Sequence, residues 1–344
     1  MENIDQLKKF WRKKKVFITG HTGFKGSWLC IILNNLGSKV HGYALKPEKN
    51  SLFNKSKIIK NLASNNYSDI NNIKKLKKIL KQTKPEIIFH LAAQPLVLES
   101  YRKPLETFST NIIGTLNLLE SIRTIKSIKS VVIITTDKVY KIDKKNKEYK
   151  ELDQLGGFDP YSASKVGAEI VVDSYIKSFF RNTFLQKKIS TVRAGNVVGG
   201  GDFSKNRLVP DIIKAINNKK KLIIRNPNHV RPWQHVLDPL IGYLILAEKQ
   251  YKNQISDFKH YWNFGPNKGN FKKVIDVVKY IKKKEGLNYI LKKNSLKEAG
   301  VLKLNSLKAK KKLKWLCKWD LIETLNKTIE WNNQVKKGNS AKNV

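Results

Sequence analysis

The chain has 344 residues, two cysteines and a formal net charge of +41 at pH 7. That length buries a sizeable core in one or two domains, and no run of 18 apolar residues offers a membrane span. The charge does not mark a specific nucleic-acid binder. Only eight of the 68 basic residues are Arg, the side chain suited to bidentate phosphate and base contacts, and the other 60 are Lys scattered as on solvated faces.

The N-terminal MENIDQLKKFWRKKK lacks the apolar core of a secretory signal. Cys30 and Cys317 sit in apolar helical patterns, which fits a reduced, cytoplasmic protein. No cluster has metal-ligand spacing. Residues 15–26, KVFITGHTGFKG, combine a short apolar strand with glycines at 20, 23 and 26, and helical spacing follows at Trp28, Leu29, Ile32, Leu33 and Leu36. Strand, glycine turn and helix form a dinucleotide-binding pattern. Gly20 permits the sharp turn, Gly23 the approach of a pyrophosphate, and Gly26 close packing of helix on strand. The helix N-terminus presents free N–H groups to phosphate.

Residues 38–45 (SKVHGYAL) read as the second strand. No acid stands at its end to hold a ribose 2′-hydroxyl, which leaves NAD and NADP both open on this feature. Residues 66–70 end in Asp69-Ile70, a strand end facing an adenine. Residues 73–80 form a Lys-rich amphipathic helix, and PEIIFHLAAQ from Pro85 is a buried strand. Helical spacing covers 104–123, with Asn111 within it. Residues 131–134 form a strong strand that runs into Thr135-Thr136-Asp137-Lys138. Strands alternating with helices imply a parallel sheet covered on both faces, with ligands beyond the carboxyl ends of the strands.

Tyr-x-x-x-Lys spacing occurs four times, at Tyr140/Lys144, Tyr161/Lys165, Tyr280/Lys284 and Tyr289/Lys293. Context selects Tyr161/Lys165. Asp159 at the cap and Pro160 at the first helical position open a helix directly after the strand that carries the polar residues. Residues 189–194 form the next strand, and GNVVGGGD after it suits a flexible loop around a ligand. A helix over 208–216, a strand over 221–224, a loop VRPWQHV, a helix over 239–247 and a strand over 259–266 follow. Arg207, Arg225 and Arg231 all fall in expected loops, where Arg beside an aromatic suits a diphosphate with a base or sugar. A helix ending near Trp331 closes the fold.

The segments FITGHTGFKGSW, HLAAQ, TTDKVY, DPYSASK, RAGNVVGGGDF, RLVPD and RPWQHVLDPL resemble the extended short-chain dehydrogenase/reductase family. Within it they are most similar to the nucleotide-sugar 4,6-dehydratases that act on CDP-glucose. The motifs run from about residue 14 to 331. The resemblance implies an α/β fold, a Rossmann-type doubly wound parallel sheet with a smaller C-terminal α/β substrate-binding region. Its expected division is 1–195 for the NAD-binding domain with the catalytic residues, 196–331 mainly for the nucleotide sugar, with some segments returning to the first domain, and 332–344 as a disordered tail.

The same resemblance implies NAD that is reduced and reoxidised within one turnover, and a nucleotide-sugar lyase. Tyr161 would be the base at the sugar C4 hydroxyl and Thr136 a hydrogen-bond partner of the C4 oxygen. Lys165 would lower the Tyr161 pKa and hold the nicotinamide ribose. Asp137 would protonate the departing C6 hydroxyl, and Lys138 would take the C5 proton. Related dTDP- and GDP-sugar dehydratases carry Asp-Glu or a similar pair here, so Lys138 favours CDP-glucose. Gly20, Thr22, Gly23, Phe24, Gly26, Asp69, Ile70, Leu91, Ala92, Ala93 and Asn111 would line the cofactor, joined by Tyr161 and Lys165. Gln94, Asn196, Arg207, Arg231 and Trp233 would meet the nucleotide sugar. A homodimer would form through helices at 107–122 and 161–179. The alternatives are a dTDP- or GDP-sugar dehydratase, an epimerase or reductase of the same fold, and a non-catalytic NAD-binding protein.

Overall fold

Val16, Phe17 and Ile18 are all fully buried, so the first strand is apolar on both faces, as a strand between two helical layers must be. Removing each such side chain from water contributes about 1.5–3 kcal/mol. That exceeds the span of about 1 kcal/mol in strand propensity, so burial decides the element. The computed structural model describes residues 2–142, 147–181, 187–255, 260–292 and 300–342.

The described strands are β1 (Lys15–Thr19), β2 (Lys39–Ala44), β3 (Ser64–Tyr67), β4 (Ile87–His90), β5 (Ser130–Ile134) and β6 (Lys188–Ala194). They continue with β7 (Asn196–Val198), β8 (Leu222–Ile224), β9 (Val230–His235), β10 (Tyr261–Phe264), β11 (Phe271–Lys273) and β12 (Tyr289–Leu291). The main sheet runs β3-β2-β1-β4-β5-β6-β10 and is parallel throughout. Strand order turns at β1, which places a crevice over the carboxyl ends of β1 and β4.

Alternate residues face the two layers. Val16, Ile18 and Phe89 pack with Trp28 and Leu29 of helix Phe24–Asn35 and Leu240 and Leu244 of helix Leu237–Tyr251. Phe17 and Ile88 pack with Leu76 and Leu80 of helix Ile73–Thr83, Leu118 of helix Gly114–Ile122 and Val172 of helix Pro160–Tyr175. Helix Ile73–Thr83 turns Lys74, Lys75, Lys78 and Lys81 to solvent.

The expected single helix over 104–123 carries a π turn, Ser109–Ile113, between Pro104–Phe108 and Gly114–Ile122. Below it lies His90. Its Nδ1 accepts from Thr19 Oγ1 at 2.7 Å and its Nε2 donates to Thr115 Oγ1 at 3.2 Å. The Thr115 hydroxyl is itself spent on the Asn111 carbonyl at 2.7 Å, which assigns the neutral Nε2–H tautomer. Burial, with Lys165 nearby, pushes the imidazole pKa down to about 3. His90 therefore ties β1 and β4 to helix Gly114–Ile122 as an uncharged bridge.

After β6 a smaller body forms from β7-β9-β11 and β8-β12, with Ile212, Trp233, Val277, Ile281 and Leu325 in its core. β10 and helix Leu237–Tyr251 return to the main sheet. Helix Val274–Glu285 belongs to the smaller body. Part of the expected 259–266 strand and two of the Tyr-x-x-x-Lys lysines, Lys144 and Lys293, lie outside the described residues.

Three sequence expectations change. The glycine run is not one flexible loop: Asn196–Val198 form β7, Gly195 to Val198 and Asp202 border a cavity, and a Cβ on Gly200 would lie 2.1 Å from the Trp331 ring and one on Gly201 2.8 Å from Leu52. These glycines serve packing, and Trp28 Nε1 donates to the Gly200 carbonyl at 2.9 Å. The tail expected to be disordered is ordered through residue 342. Helix Leu321–Lys336 overruns Trp331, whose buried Nε1 donates to the Ala341 carbonyl at 3.0 Å, and Ala341 is buried. Arg231 lies in β9 rather than in a loop.

Candidate active site

β1 ends at Gly20, whose φ of +72° is in the left-handed region, and a Cβ there would sit 2.6 Å from the Ala92 nitrogen. A Cβ on Gly26 would sit 2.2 Å from the Gly20 carbonyl oxygen. Gly23 has room, with only the Gly20 oxygen at 3.4 Å. It caps helix Phe24–Asn35 without a side-chain bond, so first-turn N–H groups stay available to an anion.

Above this turn is a cavity of about 440 Å³. Gly20, Thr22, Gly23, Phe24 and Gly26 form one wall, Leu91, Ala92 and Ala93 a second, and Asp69 and Ile70 a third. Thr22 Oγ1 donates to the Leu45 carbonyl at 3.0 Å, which ties the turn to the acid-free exit of β2. His21, a residue the sequence analysis did not single out, folds beneath β2. Its ring lies 2.4 Å from where a Gly42 Cβ would be, and its Nε2 is 2.7 Å from Asn65 Oδ1.

Asn111 and Gln94 do not line this or the neighbouring cavity. The Asn111 amide is fully used: Nδ2 donates to the Gln94 carbonyl at 3.1 Å and to Ser164 Oγ at 2.8 Å, and Oδ1 accepts from Gln94 N at 2.9 Å. Gln94 Nε2 donates to Thr107 Oγ1 at 2.9 Å and its Oε1 accepts from Leu96 N at 2.6 Å. Both hold the loop after β4 against the helices.

A second cavity, about 280 Å³, is lined by Thr136, Asp137, Lys138, Asn196, Arg231 and Trp233. Arg225 also borders it. Trp233 is anchored by Nε1 donating to the Lys272 carbonyl at 3.0 Å. Arg231 is held by the Val230 and Gly300 carbonyls at 3.1 and 3.2 Å. Thr135, Tyr161, Arg207 and Lys25 border both cavities, so the Tyr161 side chain stands where they meet.

The helix that carries Tyr161 begins as its sequence implies. Asp159 accepts from Ser162 N at 2.9 Å and from Ser162 Oγ at 2.7 Å. A Cβ on Gly157 would lie 2.1 Å from Ala163 N, so small residues let the chain close over the helix start. Of the other spacing matches, Tyr140 is committed to Arg193 and Asn263, and Tyr280 and Lys284 both bond Asn326.

At the exit of β5, Thr136 Oγ1 donates to Asp137 Oδ1 at 3.1 Å, and Lys138 Nζ reaches the same oxygen at 3.4 Å. Asp137 is 1% exposed, and its Oδ2 is buried with no partner among the described residues. An orphaned carboxylate oxygen on a residue that lines a cavity fits a ligand hydroxyl. Burial pushes the Tyr161 phenol up to about 12, opposed by the Thr136 hydroxyl and reinforced by the Asp137 charge. Burial pushes Lys165 down to about 8, opposed by Glu169. Lys165 Nζ donates to the Ile134 carbonyl at 3.2 Å. In the ligand-free protein, then, Tyr161 keeps its proton.

The family model described as GDP-mannose 4,6 dehydratase matches residues 17–328. The chain belongs to this family. Such family members are extended short-chain dehydrogenase/reductases, as the motifs implied. The chain is 43% identical over 332 residues to the CDP-glucose 4,6-dehydratase of Salmonella typhimurium, with 94% of this chain and 92% of that one covered. It is 24% identical to the UDP-glucose 4-epimerase of Mycoplasma genitalium, over 87% of this chain and 90% of that one. Among solved structures, the dTDP-glucose 4,6-dehydratase of Bacillus anthracis in complex with NAD superposes with a TM-score of 0.80. It shares 23% identity and covers 94% of this chain and 98% of its own. The UDP-glucose 4-epimerase of Thermotoga maritima with UDP-glucose gives a TM-score of 0.81 at 24% identity, over 93% of this chain and 99% of its own. This dehydratase-family fold thus supports both elimination and epimerisation chemistry in its relatives.

Proposed function

We propose that the protein is an NAD-dependent CDP-glucose 4,6-dehydratase that converts CDP-glucose to CDP-4-keto-6-deoxyglucose. The observation that carries this is the placement of Thr136, Asp137 and Lys138 in one cavity and the glycine turn in another, with Tyr161 bordering both. The 43% identical relative supports the choice of CDP-glucose. The glycine cradle and the open helix N-terminus fit a dinucleotide.

A bound NAD supplies the hydride acceptor for C4 and the hydride returned to C6. With a dinucleotide bound, Lys165 is joined by the cationic nicotinamide in favouring the phenolate, so that Tyr161, its own proton released to solvent, receives the C4 hydroxyl proton while Thr136 hydrogen-bonds the C4 oxygen. Lys165 stabilises the phenolate by its charge and holds the nicotinamide ribose. Once C4 is a ketone the C5 proton is acidic. Moving one proton from Lys138 to Asp137 across their 3.4 Å contact leaves an amine that removes the C5 proton and a carboxylic acid that protonates the departing C6 hydroxyl. Arg207, Arg231, Asn196 and Trp233 hold the nucleotide diphosphate. An epimerase needs Tyr161 and Lys165 but no acid and base beside Thr136, so Asp137 and Lys138 favour elimination.

The test is a panel of CDP-, dTDP-, UDP- and GDP-sugars with the NAD-loaded protein and product mass. CDP-glucose should yield a product lighter by one water. Turnover of dTDP-glucose with CDP-glucose untouched would overturn the substrate, and a mass-neutral product would overturn the dehydration.

The proposal extends to a homodimer through the helices at 107–122 and 161–179. Leu105 is 86% exposed and Ile170 61%, and Phe108 and Ile113 are also exposed on this layer. Light scattering should report twice the 39.6 kDa chain mass. A monomer at micromolar concentration would refute this.

A further inference from the structure

Lys25 is the second residue of helix Phe24–Asn35, one step beyond the glycine turn. Its side chain borders both cavities. The charges that act on it are Arg207, Lys165 and Lys138, all cationic, and the carboxylate of Asp137. Each of those cations already has a partner. Arg207 pairs with Asp202 at 3.2 Å, Lys138 with Asp137 at 3.4 Å, and Lys165 donates to the Ile134 carbonyl. Lys25 Nζ has no hydrogen-bond or ion-pair partner among the described residues. No acidic residue stands in the first turn of its helix, and an ammonium at a helix N-terminus opposes the helix dipole. The ligand-free protein therefore holds a lysine with no ion-pair partner where a cation is least favoured.

We propose that the Lys25 ammonium is a diphosphate-binding group that completes the junction of the two cavities. The proposal rests on the assignment of one cavity to a dinucleotide and the other to a nucleotide sugar. A diphosphate fits this place better than a carboxylate. It meets the free N–H groups of the turn and the local excess of cations together, and it carries more than one charge. The low pKa of Lys25, pushed by burial and the neighbouring cations to about 7, agrees with this role. Near neutral pH part of the population is uncharged, and an arriving anion draws a proton onto it.

The experiment is calorimetric titration at pH 7.5, with NAD into NAD-free protein and with CDP into the NAD-loaded protein. Wild type, Lys25→Met and Lys25→Arg are compared in buffers of different ionisation enthalpy. Loss of a charge-assisted bond should weaken binding about 10–100-fold in Lys25→Met, and Lys25→Arg should recover most of it. Wild type should take up a fraction of a proton on binding, and Lys25→Met should not. A loss confined to CDP assigns the ammonium to the nucleotide sugar, and one confined to NAD assigns it to the cofactor. Unchanged affinity and proton uptake in both arms would overturn the proposal. Failure of wild type itself to bind CDP would count against the substrate, and UDP, dTDP and GDP would then take that arm. Thermal unfolding of ligand-free Lys25→Met is the control. Its midpoint should be no lower than wild type, and a marked fall would make Lys25 structural and overturn the role.

Discussion

Tyr161→Phe should lower kcat on CDP-glucose by about 10²–10⁴-fold, the usual contribution of a positioned acid or base, with KM nearly unchanged. The hydroxyl it removes belongs to a side chain only 8% exposed, at the border of the two cavities. Its ring keeps its packing in the variant, so the fold should not respond. Lys138→Met should fail at a different point. Oxidation at C4 requires Tyr161 and Thr136, and both are intact there. The C5 proton then has no base, so the variant should accumulate enzyme-bound reduced nicotinamide absorbance with substrate present and release no product. These two outcomes separate the steps: Tyr161→Phe shows little reduction of the cofactor, Lys138→Met shows reduction without turnover. Wild-type turnover by Lys138→Met would remove it as the elimination base. Its contact with Asp137 at 3.4 Å would then be a simple ion pair.

The residues that announce themselves in the sequence are those whose signal is local. β1 and its glycine turn, the polar exit of β5 and the Asp159-Pro160 start of the Tyr161 helix all carry their explanation within ten residues. Helix Val274–Glu285 carries a local signal too, in Val274, Val277, Val278 and Ile281, but its lysines mask it. What stayed hidden depends on partners distant in the chain. Gly200 and Gly201 look like a ligand loop until Trp331 and Leu52 are placed against them. Asn111 looks like a cofactor residue until Gln94 and Ser164 consume its amide. Lys25 is one lysine among 60 until Arg207, Lys138 and Lys165 gather around it. Periodicity reports which face of an element is buried, but says nothing of which buried face meets which.

Glu169→Ala should cost about 3–5 kcal/mol of folding stability, the range for breaking a buried ion pair from one side. Glu169 and Arg193 are each 1% exposed. Arg193 Nε donates to Glu169 Oε1 at 2.9 Å, and its Nη2 binds Oε2 more closely still. The remaining donors reach the Tyr140 hydroxyl at 2.8 Å and the Glu151 carbonyl at 2.9 Å, while Thr135 Oγ1 donates to Glu169 Oε1 at 2.6 Å. Removing the carboxylate strands a guanidinium in the interior, whereas Glu169→Leu with Arg193→Met removes both charges and should recover much of the loss. Urea unfolding at pH 7 reads both. The same carboxylate is one helical turn from Lys165 and opposes the burial that lowers its pKa to about 8. Glu169→Gln preserves an acceptor for Arg193 but not that charge, so the Lys165 pKa should drop further. Lys165 must be protonated to stabilise the Tyr161 phenolate, and a lower pKa means the proton is lost at lower pH. The alkaline limb of kcat should therefore move toward neutrality in Glu169→Gln. A limb that stays in place while stability falls would confine Glu169 to the fold and leave Lys165 under the control of burial alone.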